Sequence, residues 1–84
     1  MSILKISIRQ IKAARALLAW SQDDLAAASG VSKPTIGRLE SEDGEMGGRS
    51  DTGEKLQKAL EKAGVEFIAE NGGGAGVRMK KRKR

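Results

Sequence analysis

The stretch SQDDLAAASGVSKPTIGRLE, residues 21–40, decides how the rest of the chain must fold. Ser21 offers a side-chain oxygen suited to an N-cap, and Asp24, three residues on, offers the carboxylate of a capping box. Trp20 and Leu25 occupy the two positions of a hydrophobic staple, which sets the angle at which the chain enters a helix. The same grammar recurs eleven residues later. Ser32 is a second N-cap, Val31 and Ile36 take the staple positions, and Pro34 lies in the first turn, where a missing N–H costs little. Between the two starts, Ser29, Gly30 and Val31 leave no room for a long loop, and Gly30 can adopt the positive φ that ends a helix and redirects the chain. The spacing predicts two short helices meeting steeply, with Leu25, Val31, Ile36 and Leu39 as their apolar seam and Ala26 small where they approach.

Gln22, Leu25, Ala26, Gly30, Val31, Ile36, Leu39 and Glu40 stand at the spacing of a helix-turn-helix. Over residues 7–64 the chain resembles the Cro/C1-type (XRE-family) helix-turn-helix domain of bacterial and phage transcriptional regulators. The resemblance implies a mainly α, four-helix, lambda-repressor-like DNA-binding domain. The bland alternative is a plain αα-hairpin inside another small bundle.

Working outward, Ser7 can cap a first helix with Gln10 at the box position, and Ile8, Ile11, Ala14 and Leu18 then share one face. Arg15 falls on that face too, where a guanidinium needs a carboxylate. Glu40 is the natural partner, since about 100° per residue counted from Lys33 places it beside Ile36 and Leu39. The resemblance implies the same structural ion pair, Arg15 with Glu40. Arg9 and Lys12, on the opposite side of the first helix, read as a solvated face.

The four helices are expected at about residues 8–19, 22–28, 33–40 and 52–63. Ser50 or Asp51 should cap the fourth, with Glu54 completing a box if Asp51 is the cap. Leu56, Ala59, Leu60 and Ala63 form its stripe, which either closes the core or serves a dimer, and Gly64 ends it. Residues 65–80 then alternate as short strands around Asn71, Gly72, Gly73 and Gly74, a short C-terminal β-hairpin that can close within one chain or across a dimer. Residues 1–6 read as an N-terminal arm or strand fragment, and residues 81–84 as a basic, solvated tail.

The charge lies unevenly. Of sixteen basic residues, six fall in residues 78–84, leaving ten against eleven acidic groups in the rest of a chain whose net charge is +5. A DNA-facing patch must therefore come from local placement. On the third helix Lys33, Pro34, Gly37 and Arg38 fall opposite Ile36 and Leu39. Lys33 and Arg38 can donate to guanine O6 and N7 or to phosphates, Pro34 can meet a thymine methyl, and Gly37 lets a backbone come close. The resemblance implies DNA contact by Gln22, Ser32, Lys33, Pro34, Thr35 and Arg38, with Gln22 and Thr35 on phosphate. Arg49 is the residue of the following loop placed near phosphate. That loop, SEDGEMGGR at residues 41–49, departs from the family pattern, in which it is often basic.

Partners expected on this reading are double-stranded DNA and a second copy of the chain, as a repressor on an inverted-repeat operator. The alternative is a protein-binding module such as the antitoxin of a toxin–antitoxin pair, motivated by the acidic loop and the strand-forming C-terminal segment. There is no Cys and no His, which removes disulfides and the usual nucleophiles and transition-metal ligands; no cofactor or enzymatic activity is expected. No apolar run has the length of a signal or a membrane span, so a cytoplasmic location is expected.

Overall fold

Each of the first three helices begins on a serine in extended backbone: Ser7, Ser21 and Ser32 accept through their side chains from the N–H groups of Gln10, Asp24 and Thr35. At the first two the bond is returned, Gln10 Oε1 and Asp24 Oδ2 each accepting from the serine N–H at 2.9 Å. Thr35 cannot reach back in this way, and Ser32 Oγ donates to its hydroxyl instead, at 2.9 Å. These starts open α1 (Ile8–Leu18), α2 (Gln22–Ser29) and α3 (Lys33–Ser41) in a computed structural model that describes residues 6–42, 50–69 and 72–80. Then come α4 (Ser50–Lys62), β1 (Val65–Ile68) and β2 (Gly76–Met79).

The helix ends differ by a residue or two from those predicted. α1 stops before Ala19, which takes a left-handed conformation at φ 57°. Trp20 N–H then reaches Arg15 O at 2.9 Å and Ala19 N–H reaches Ala16 O at 3.1 Å, the paired bonds of a Schellman ending. The reversal turns Trp20 back against the core. Gly30, at φ 79°, ends α2 as expected. α4 begins at Ser50, so Ser50 and Asp51 both lie inside its first turn and neither is its N-cap; Asp51 supplies a carboxylate at the positive end of the helix instead. The box of Asp51 with Glu54, expected only if Asp51 were the cap, is therefore not formed.

The core lies where α1 to α4 meet the hairpin. Ile11 and Ala14 of α1, Leu25 of α2, Ile36 of α3, Leu56 and Leu60 of α4, and Val65 and Phe67 of β1 are buried in one cluster. Ile6 joins it, so the last residue of the predicted arm is core; residues 1–5 of that arm lie outside the described residues. The strands are antiparallel with Val65 opposite Met79 and Phe67 opposite Val77, and they pair within the one chain.

Two short strands are marginal in water alone, and this pair is held at both ends. Lys80 N–H bonds Gly64 O at 2.7 Å where the hairpin opens. At the far end, where Ile68 faces Gly76, the buried Gln10 donates through Nε2 to both carbonyls, at 3.3 and 2.9 Å. The residue read from sequence as half of a capping box thus also clasps the hairpin to α1. On the outer surface Arg78 Nε meets Glu66 Oε1 at 3.0 Å, which holds the Glu66 carboxyl below its usual range by hydrogen bond and charge.

Candidate nucleic-acid interface

One buried carboxylate organises the helix pair. Arg15 reaches Glu40 with Nε on Oε2 at 2.8 Å and Nη2 on Oε1 at 2.7 Å, a two-pronged contact that matches guanidinium to carboxylate, and its Nη1 donates to Trp20 O at 2.8 Å. The expected pair of Arg15 and Glu40 is present. Gln22, first residue of α2, donates from Nε2 to the same Glu40 Oε1 at 3.0 Å. Burial pushes the Glu40 pKa up, but hydrogen bonds from Arg15 and then Gln22, with the charges of Arg15 and Lys12, outweigh it and leave Glu40 below its ordinary value. The site stays ionised, and α1, α2 and α3 are locked at one point.

With Glu40 turned inward, the rotation of α3 is set. Ile36 is buried beside it, and Lys33, Pro34 and Arg38 are all exposed, on the side that the angular count predicted. Ser32 is exposed at the cap, and Thr35 is half-buried with its hydroxyl engaged by Ser32. Gly37 is half-buried, and a methyl added there would lie 3.6 Å from Gln22 Oε1, an ordinary contact. The packing of α2 on α3 therefore does not itself demand glycine at this position. Arg49 and the acidic Asp43 and Glu45 lie outside the described residues, whereas Glu42 is exposed just past α3.

Two features escaped the sequence reading. Gln22, expected on phosphate, already spends one of its amide hydrogens on Glu40. Asp23, in the first turn of α2, lies 3.4 Å from Lys33 through Oδ1 and Nζ. Nothing in residue spacing signals either contact, because both cross between helices.

Two short helices joined by a tight turn at Gly30, the second capped by serine and presenting two cations and a proline outward, define a helix-turn-helix DNA-binding protein. A Helix-turn-helix family model matches residues 11–67. The chain belongs to this Cro/C1-type (XRE) helix-turn-helix family and is a DNA-binding transcription regulator. Curated proteins searched for similarity contain no match to it. Among the described residues no helix is long and apolar enough to cross a membrane.

Proposed function

We propose that the chain is a repressor that binds an inverted-repeat operator as a homodimer, each copy placing α3 in one of two adjacent major-groove segments. The observation that carries this reading is the rotation of α3, which buries Ile36 and Glu40 and leaves Lys33, Pro34 and Arg38 exposed together. Arg38 would read guanine O6 and N7, Lys33 a guanine or a phosphate, and Pro34 a thymine methyl. Gln22, Ser32 and Thr35, with the N–H groups at the helix starts, would set the register on phosphates, and Arg49 would add a phosphate contact beyond α3. Two-fold symmetry then requires half-sites about one helical turn, roughly 34 Å, apart. Occupancy of such a site represses by excluding polymerase.

Selection of bound fragments from a random DNA pool tests this. A palindromic consensus supports it; enrichment of a single asymmetric half-site, or of nothing, overturns the dimer–operator reading.

A protein partner, as for an antitoxin, is the second reading. It is favoured by Leu17 at 47% and Met79 at 43% exposure, the large apolar side chains left open among the described residues. A chain that remains monomeric in sedimentation while bound to operator would leave that surface to a different polypeptide.

A further inference from the structure

We infer that Asp23 is a specificity-determining residue: its carboxylate holds Lys33 in an intramolecular ion pair and so suppresses binding of α3 to DNA of arbitrary sequence. The inference rests on the DNA-binding reading and deepens it. The pair joins the first turn of α2 to the first residue of α3, at 3.4 Å, beside the exposed Ser32 and Pro34. Its side chains are 72% and 56% exposed for Asp23 and Lys33, so the pair stands largely in solvent. Such a pair opens readily. A phosphate oxygen is then a direct competitor for Lys33, carrying the same charge as the carboxylate it would displace.

The surrounding charges sharpen the effect. α2 and α3 carry Asp23, Asp24 and Glu40 against Lys33 and Arg38. Arg15 neutralises Glu40, so the helix pair offers DNA no net positive charge. Asp24 is occupied as the acceptor of the Ser21 N–H, whereas Asp23 is turned to Lys33.

Binding to arbitrary duplex draws almost entirely on neutralised phosphates. If Lys33 moves to a phosphate, it leaves Asp23 uncompensated close to a polyanion, and the new contact is offset by the one lost. A guanine edge is different, because N7 and O6 are neutral acceptors and an ammonium has three donors. Lys33 can address a base while keeping Asp23. The pair therefore penalises phosphate contact and tolerates base contact, which widens the gap between operator and background.

Asp23→Asn removes the charge with little change of shape. Binding by fluorescence anisotropy to the selected operator and to a random-sequence duplex, between about 50 and 200 mM salt, reads the effect. Random-duplex affinity should rise about two- to fivefold, and its log–log salt slope should steepen by about 0.9, the value of one added phosphate contact. Operator affinity should change less, so the specificity ratio falls. In a Lys33→Ala background the same substitution should leave the slope unaltered. Unchanged random-duplex affinity, or a gain that persists undiminished without Lys33, overturns the inference; the latter would mean general repulsion. Asp23→Ser serves as a second variant if melting shows the asparagine chain to be poorly folded. A parent chain that binds no duplex at all defeats the DNA reading itself, and that outcome is visible before any variant is compared.

Discussion

Gln22 and Glu40 are joined across the helix pair by a 3.0 Å hydrogen bond from Nε2 to Oε1, on the same oxygen that Arg15 Nη2 reaches at 2.7 Å. The angle between α2 and α3 is therefore set by an ion pair anchored in α1. Arg15→Ala would leave the Glu40 carboxylate buried with only an amide for company, and would free Trp20 O as well. Because Arg15 is partly exposed, the expected loss is about 3 kcal/mol, the low end for breaking a buried pair. Urea unfolding measures it, and a loss below about 1 kcal/mol would show the pair to be dispensable.

Acid should undo the same contact. In the unfolded chain a glutamate titrates near 4.5, and in the folded chain Glu40 is held lower. A depressed carboxyl contributes stability that is fully present above its unfolded value and is lost as pH falls through the folded one. Unfolding free energy should thus decline as pH drops below about 4.5, and Glu40→Gln should decline less steeply from a lower starting point. Parallel curves for the two chains would assign the acid sensitivity to other carboxylates.

The Gln10 side chain has three hydrogen-bonding partners: Ser7 N–H at the start of α1, and Ile68 O and Gly76 O of the hairpin. Gln10→Leu keeps the volume and removes all three bonds, at an expected cost of about 2–3 kcal/mol. Amide hydrogen exchange should accelerate most in β1 and β2. Uniform acceleration across all elements would mean that the hairpin is not a separately held unit.

Ala19 is the non-glycine residue with positive φ among the described residues, at 57°. A left-handed alanine costs roughly 1–2 kcal/mol, part of which a glycine loses again through its freer unfolded chain. Ala19→Gly should therefore raise stability by about 0.5–1 kcal/mol. A lower urea midpoint would show that the alanine methyl makes a compensating contact.

Arg38→Ala should erase the preference for operator over random competitor in a binding assay, while oligomeric state stays unchanged. Deleting residues 81–84, which spares the Lys80 bond to Gly64, should instead weaken binding to every sequence and flatten its dependence on salt. An unaltered specificity ratio in the first case, or an unaltered salt slope in the second, would remove these groups from the interface.

Much of this molecule was legible from residue order. The serine starts of α1, α2 and α3, the glycine end of α2 and the Arg15–Glu40 pair follow from caps and from a 3.6-residue period. The end of α1 was misread because alanine is a strong helix former, and its left-handed turn, after which Trp20 packs on the core, is not signalled by residue type. The start of α4 was misread because Ser50 and Asp51 both look like caps, yet both lie inside the helix.

Taken alone, residue order determined where these helices begin and which faces are apolar, because caps and periodicity act within about four residues along the chain. Only the tertiary structure decided that Gln10 would clasp Gly76, sixty-six residues away, and that Asp23 would come to rest on Lys33. Those groups meet only once separate elements have docked, so their pairing is a property of packing and leaves no trace in local spacing.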